Sequence, residues 1–182
     1  MNLLKIIDED DYKKVSLDFY LDAIEKFGAA KITYSIISIE ALFNVSHSDI
    51  QKTVVQRGMK ILQNFYTQEY WEQIEVDLKT AYDIRSDYAH GERKKSKKAN
   101  IELSERISEY ARIILTVFIQ LSQLVEKERK KTKEKKYINN YLIEKSLLYP
   151  DTNTIFSNML NSLQVHVKKF DDIGKFVICP NL

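Results

Sequence analysis

Residues 29–44 read AAKITYSIISIEALFN and place a stripe of apolar side chains along a single helix. Ile32, Ile36, Ile39 and Phe43 recur at the three- and four-residue spacing that brings side chains onto one helical face. Further apolar residues widen this stripe, which is typical of a helix buried on several sides. The stretch therefore predicts a central helix within a helical protein.

The same spacing continues through most of the chain and predicts an all-α fold, an antiparallel bundle of five to six helices. Gly28 and Gly91 are expected just past helix ends, where glycine is the usual residue. The predicted helices span 11–27, 29–44, 49–65, 67–90 and 101–131, with a weaker one over 152–169.

Two of these helices carry well-defined apolar stripes. The stripe of the first consists of Val15, Phe19, Ala23 and Phe27. The longest predicted helix carries a stripe that predicts the core of a bundle rather than an extended coiled coil. This stripe consists of Leu103, Ile107, Tyr110, Ile114, Val117, Leu121 and Leu124. The pattern weakens after the lysine-rich run at 126–136. We therefore assign 1–136 to the bundle and 137–182 to a C-terminal helical extension and tail.

The composition of the chain excludes several classes of protein. Only 4 of 182 residues are Gly and 2 are Pro, too few for an all-β fold or for glycine-rich phosphate loops. The single cysteine, Cys179, excludes a disulfide framework, and the three histidines have no metal-ligand spacing. We therefore predict no metal and no cofactor. No apolar run approaches the length of a membrane span and no apolar leader is present, so we expect a cytoplasmic protein with no membrane partner.

The net charge of +2 says little about partners, but the charge is unevenly distributed. Residues 92–98 read ERKKSKK, and 126–136 is also basic. Exposed lysine and arginine side chains can contact phosphates, although each run could equally be a solvated loop or helix face. The candidate RNA-binding residues are Arg93, Lys94, Lys95, Lys97 and Lys98.

Residues 82–91, YDIRSDYAHG, place Arg85 and His90 five positions apart at the predicted end of a helix. Five residues on an ideal helix turn by about 140°, so the two side chains would not share a face. Taken alone, the pair could be a helix C-cap, where histidine is favoured by the carbonyl end of the helix dipole.

The motif is preceded by two others in a fixed order. Residues 39–43 read IEALF, and a helix carrying Arg57 and Leu62 follows before the 82–91 motif. This ordered set resembles the HEPN family of small helical ribonucleases, in particular its ApeA-like branch, in which LEALF precedes Y-x-x-R-S-x-x-x-H-G. The resemblance covers about residues 15–125.

The resemblance implies a helical bundle that forms a two-fold dimer, with the Arg and His of both chains meeting at the interface. Arg85 and His90 match the R-x(4–6)-H motif of the family. Ser86 departs from the usual Asn, Asp or His after the arginine but fits the ApeA-like branch. Family members are metal-independent endoribonucleases, often in toxin–antitoxin or anti-phage systems, and some are inactive binding modules.

The chemistry of the two residue types agrees with this activity. The 2′-OH of RNA can attack the adjacent phosphate, so the enzyme must move protons near neutral pH and stabilise charge on the phosphorane. Histidine suits the first task, and arginine suits the second because it is always charged and binds two phosphate oxygens. The expected product is a 2′,3′-cyclic phosphate.

Four further residues are candidates for supporting roles. Glu40 lies on an apolar face, and because a buried carboxylate needs a partner, Arg85 is the candidate to pair with it, with a partly exposed Glu40 as the alternative. Ser86 is a candidate because of the resemblance. Asp87 and Tyr88 could line the cleft that the resemblance implies at the dimer interface, or merely cap the helix.

The expected partners are RNA, a second copy of the chain and a possible antitoxin or regulatory protein. Two other interpretations remain open at this point. One is a non-catalytic HEPN-like module that binds RNA or protein as a dimer. The other is a structural helical protein that pairs through 101–131.

Overall fold

The structure, a computed structural model, describes residues 12–43, 49–91, 100–126 and 134–144. A 3₁₀ turn, Gln68–Tyr70, leads into the fourth helix, and a π-helix, Ile138–Glu144, follows the last. These residues contain no β-strand, so the predicted all-α fold is confirmed for them. The α-helices are α1 (Tyr12–Ile24), α2 (Gly28–Phe43), α3 (Ile50–Leu62), α4 (Trp71–Ala89), α5 (Ile101–Glu126) and α6 (Glu134–Tyr137).

Helix α2 lies at the centre and packs against α1, α3, α4 and α5. Its predicted apolar stripe is confirmed, because Ile32, Ile36, Ile39 and Phe43 are all fully buried. Burying one such side chain contributes roughly 1.5–3 kcal/mol relative to leaving it in water. The position of α2 therefore determines where the other helices pack.

The buried face of α1 differs from its predicted apolar stripe. Of the four stripe residues only Ala23 is fully buried, whereas Val15 is 47% and Phe27 88% exposed. Lys13 and Ser16 occupy the buried face instead. The prediction from apolar spacing was therefore wrong for this helix.

Two polar contacts account for the orientation of α1. The Ser16 and Ser38 hydroxyl oxygens lie 3.0 Å apart, which is possible because both side chains are small. Lys13 Nζ donates to Ser122 Oγ at 3.3 Å. Satisfied polar groups can therefore occupy a face that periodicity alone would give to Val15 and its neighbours.

The helices do not all alternate in direction. Ser16 lies against Ser38 and Phe19 against Tyr34, so α1 and α2 run antiparallel as predicted. Two further contacts relate the direction of α2 to that of α5. Near the start of both helices, Lys31 Nζ lies 2.6 Å from Glu105 Oε1. Further along, the Phe43 and Phe118 rings pack at 6.2 Å, so α2 and α5 run in the same direction.

The long helix α5 has the predicted core face. A coiled-coil seam would be a narrow stripe, but residues flanking this one, such as Ala111, Leu115 and Phe118, are buried as well. The helix is therefore part of a bundle core. The buried residues of its predicted stripe are Leu103, Ile107, Tyr110, Ile114, Val117 and Leu121, and the side chain of Leu124 lies outside the described part.

The helix ends follow the sequence signals only in part, because α1 ends at Ile24 and Gly28, which was expected just past its end, begins α2 instead. Gly91 has a φ of +70° immediately after α4, as expected for the residue past a helix end. Asp49 and Thr67 precede helical segments, but neither side chain makes a capping hydrogen bond.

The first residues of the predicted C-terminal extension belong to the core. Ile138, Asn139 and Ile143 are completely buried against the bundle. Residues 145–182, including the helix predicted over 152–169, lie outside the described residues. Within the described ranges no helix is long and apolar enough to cross a membrane.

Gly58 of α3 lies close to side chains of α4 and α5. A Cβ at this position would lie 3.1 Å from Leu78 Cδ1 and 3.7 Å from Ile114 Cδ1. We predict that Gly58→Leu lowers the free energy of unfolding by about 1–3 kcal/mol, because the added side chain overpacks the junction of α3, α4 and α5. Urea denaturation measures this loss. Gln56→Leu, on the exposed face of the same helix, should change stability by less than about 0.5 kcal/mol.

Asp77 joins α4 to α5 through a buried polar cluster. Its carboxylate accepts hydrogen bonds from Arg106 Nε at 2.7 Å and Nη2 at 2.9 Å, from Tyr110 Oη at 3.1 Å and from Gln73 Nε2 at 2.8 Å. The bidentate geometry fixes the two helices in one register.

We predict that Asp77→Ala costs about 2–4 kcal/mol of stability, because it leaves the buried Tyr110 hydroxyl and the Arg106 guanidinium without this acceptor. Thermal denaturation by circular dichroism gives the measurement. Glu75→Ala, which removes only a surface pair with Lys79, is the matched control on the same helix, and an equal loss in both variants would contradict the prediction.

Candidate functional site

The predicted pair of Glu40 and Arg85 is present in the structure. Glu40 lies in the last turn of α2, and Arg85 lies near the end of α4. Arg85 Nη2 donates to Glu40 Oε2 at 2.7 Å. The Glu40 side chain is 10% exposed and that of Arg85 28%, so the carboxylate is inside and the guanidinium reaches the surface.

A second contact orients the Arg85 guanidinium. Its central carbon lies 5.9 Å from the centroid of the Tyr82 ring, one helical turn earlier on α4. At this distance the positive charge is attracted to the ring face. Tyr82 is partly buried and packs against the core, so its ring is not a free surface on which a base could stack. Arg85 is thus held by a carboxylate on one side and an aromatic ring on the other.

Burial determines the electrostatics of this pair. Burial raises the pKa of Glu40, and the charge and hydrogen bond of Arg85 offset part of that rise. Burial also raises the pKa of Tyr82, with a further rise from the Glu40 carboxylate. Within the described part of the chain, Glu40 Oε1 and Arg85 Nε have no hydrogen-bond partner. Both atoms are buried, so the unused Arg85 Nε donor does not face solvent.

His90 lies at the C-terminal end of the same helix with its side chain exposed. Its backbone N–H donates to the Ser86 carbonyl at 3.1 Å, and the Gly91 N–H donates to the Tyr88 carbonyl at 3.2 Å. These bonds close the last turn of α4 and confirm the predicted helix end.

The structure does not bring the two principal candidates together within one chain. In the described residues no hydrogen bond or ion pair joins the side chains of Arg85 and His90, as their spacing around the helix leads one to expect. Of the supporting candidates, Asp87 is buried, Ser86 is partly exposed and Tyr88 is about half exposed. Tyr88 can therefore contribute to a surface cleft, whereas Asp87 faces the interior.

The predicted RNA-binding residues Arg93, Lys94, Lys95, Lys97 and Lys98 lie outside the described residues. The described ranges contain no group of three or more His, Cys, Asp or Glu side chains that could hold a metal ion.

Two residues near the site were not singled out as functional from the sequence. Arg57 of α3 and Asn139 of the π-helix are buried beside the C-terminal end of α2, which carries Glu40. Arg57 has a weak signal, because it follows two valines on a helix face that turns out to be buried. Asn139 has none, since the apolar pattern weakens from this residue on and nothing in it marks a polar side chain for burial.

The raised pKa of Glu40 predicts a pH-dependent difference between the native protein and Glu40→Gln. A carboxyl whose pKa is raised by folding stabilises the folded state fully below its unfolded pKa, and this contribution is lost as pH rises through the folded pKa. The stability of Glu40→Gln relative to the native protein should therefore increase as pH rises above about 4.5. Urea denaturation from pH 4 to 8 measures it.

Glu75→Gln, which removes an exposed carboxylate from α4, gives the background for that comparison. If the stability of Glu40→Gln relative to the native protein falls with rising pH instead, the Arg85 charge has a larger effect on the pKa of Glu40 than burial has.

Comparison with protein-family models, with curated proteins and with solved structures finds no match to this chain.

Proposed function

We propose that this protein is a metal-independent endoribonuclease that cleaves RNA through attack of the 2′-OH and leaves a 2′,3′-cyclic phosphate. The observation that carries the proposal is the Glu40–Arg85 ion pair, which holds a guanidinium at the surface five residues before an exposed histidine. The order of motifs that resembles the HEPN family points to the same activity. We further propose that the protein acts in anti-phage defence or as a toxin.

The held guanidinium suits a role in stabilising charge. A phosphorane carries more negative charge than the phosphate from which it forms, and a cation fixed beforehand stabilises it without reorganisation. The Glu40 carboxylate and the Tyr82 ring supply that fixation, and the exposed part of Arg85 is left to face the phosphate. Arginine can also bind two phosphate oxygens at once, which a lysine cannot do with the same geometry.

His90 is the proposed group that moves protons. Its exposed position at the end of α4 gives RNA access to the imidazole. In the ribonuclease mechanism a general base takes the 2′-OH proton, and a general acid protonates the 5′ oxygen that leaves. Proton transfer of this kind ordinarily contributes 10²- to 10⁴-fold to a rate.

A second copy of the chain is part of the proposal. On an ideal helix Arg85 and His90 would lie about 140° apart, and no bond joins their side chains in the described residues, so we propose that a single chain does not direct both at one phosphate. In a two-fold dimer the arginine of one chain can face the histidine of the other, because the same patch occurs on both subunits. RNA and a second copy are thus the proposed partners, with an antitoxin or regulatory protein as a further candidate.

The second candidate function is a non-catalytic dimer that binds RNA or protein. Ser86, in place of the residue most common after the arginine, favours it. The two functions differ in whether RNA is cut, so one experiment separates them.

The purified protein should cut total cellular RNA in the presence of EDTA, and its products should carry 2′,3′-cyclic phosphates. We predict that His90→Ala lowers the cleavage rate by about 10²-fold or more and that Arg85→Lys lowers it by a similar factor. Both variants should elute from a sizing column like the native protein. Gel-based cleavage assays and end-group analysis provide the measurements.

Two control variants isolate the site. His166→Ala removes a histidine outside the motif, and Lys79→Ala removes an exposed cation from the same helix as Arg85. Both should cleave at the native rate. Products ending in a 3′-OH, or activity lost on chelation, would contradict the proposed mechanism. RNA binding without cleavage, unchanged in His90→Ala, would establish the binding module instead.

A further inference from the structure

The C-terminal end of α2 is capped by side chains from two other elements. The last four carbonyls of an α-helix have no partner within the helix. Arg57 Nη1, from α3, donates to the Phe43 carbonyl at 2.5 Å, and Asn139 Nδ2, from the π-helix, donates to the Leu42 carbonyl at 3.0 Å. The side chains of Leu42 and Phe43 are completely buried, so these carbonyls depend on partners inside the protein.

The two capping side chains are also bonded to each other. Arg57 Nη1 donates to Asn139 Oδ1 at 2.9 Å, and Asn139 Nδ2 donates additionally to the Lys135 carbonyl at 2.9 Å. Arg57 is 5% exposed and Asn139 is not exposed at all. The amide of Asn139 therefore binds α2, α3 and the segment before the π-helix at once.

The π-helix is the conformation that allows this arrangement. Ile138 and Ile143 are both completely buried and lie five residues apart. In an α-helix they would point about 140° apart, whereas the i→i+5 bonding of a π-helix brings such residues close to one face. This face anchors the segment on the core and turns Asn139 towards the end of α2. A π-helix is rare, and its conformation here serves the packing of these three residues.

We propose that Asn139 is a positioning residue for Arg85, acting through the last turn of α2 and through Glu40. The inference rests on the proposed ribonuclease function, because it assigns this role within the same site. We name residues 134–144 the C-terminal clamp. Glu40 lies two and three positions before the carbonyls that the clamp and Arg57 cap, and it is the residue that holds the Arg85 guanidinium.

The clamp makes the geometry of the site depend on a segment distant from it in sequence. Asn139 lies 97 residues after the carbonyl that it caps, and it follows the basic run at 126–136. When the clamp is lost, two buried carbonyls lose or weaken their caps, and the last turn of α2 must open to water or shift. Glu40 moves with that turn, and Arg85 loses its fixed orientation although neither residue is changed.

The variant Asn139→Leu tests this proposal, since leucine has a similar size and makes none of the three hydrogen bonds. We expect kcat for RNA cleavage to fall at least 10-fold with little change in KM, because a misplaced catalytic group lowers the rate of the chemical step. Asn140→Leu is the matched control, because it makes the same substitution at the adjacent, partly exposed position. It should leave kcat unchanged.

Two NMR measurements give a readout that does not depend on activity. Titration of the carbon-13-labelled Glu40 carboxyl should show its pKa lowered in Asn139→Leu towards the ordinary value for glutamate, as water reaches the opened turn. The Arg85 Nε–H resonance should shift as well. Both should stay native in Asn140→Leu. The measurements are made at a temperature at which circular dichroism shows each variant fully folded.

The outcomes separate the two proposals. If the native protein cleaves no RNA, the ribonuclease function fails, and the NMR measurements still decide whether the clamp positions Glu40 and Arg85. If Asn139→Leu is folded and both resonances are native, the positioning role is overturned. If Asn139→Leu does not fold, Asn139→Asp replaces it in the same measurements, because aspartate keeps the acceptor for Arg57 but cannot donate to the Leu42 carbonyl.

Discussion

The constraint on which the structure depends is the burial of α2 on almost every side. A polar group on such a helix is shielded from water and can gain a partner only from the protein, although Thr33 Oγ1 and Ser35 Oγ have none within the described residues. Other polar groups of α2 attach the neighbours to it: Ser38 binds Ser16 of α1, Lys31 binds Glu105 of α5, Glu40 binds Arg85 of α4, and its last carbonyls bind Arg57 of α3 and Asn139 of the π-helix. Apolar packing brings the helices together, and these bonds select their rotation and register.

The candidate site arises from the same constraint, which affects how its residues are interpreted. A buried carboxylate needs a cation whether or not the protein is an enzyme, so the Glu40–Arg85 bond is not by itself evidence of catalysis. The hydrogen bonds of Asp77 have a structural role only, because its carboxylate is nearly enclosed and accepts four of them. Arg85 differs because its side chain is 28% exposed and lies near the helix end that presents His90.

Sequence reasoning succeeded where one periodicity or one charge decided the outcome. The stripe of α2, the end of α4 at Gly91 and the pairing of Glu40 with Arg85 could each be predicted, because an apolar face, a glycine and a buried carboxylate have few alternatives. The prediction of the buried face of α1 was wrong because polar residues whose hydrogen bonds are satisfied, such as Lys13, can be buried as well as apolar ones. Asn139 could not be found, because a π-helix breaks the 3.6-residue spacing on which the search for helices relies.

The arrangement of Arg85 and His90 bears on how a complete site can form. Arg85 is bonded to Glu40, and breaking that bond would leave a carboxylate without its cation although the Glu40 side chain is only 10% exposed. The exposed His90 side chain is under no such restriction in the described structure, but on an ideal helix it would lie about 140° around from Arg85. Rotating side chains within one chain is therefore a costly way to bring the two groups together. A second chain that presents its own His90 to this fixed Arg85 joins them without breaking a buried bond, and this is the physical reason for including a dimer in the proposed mechanism.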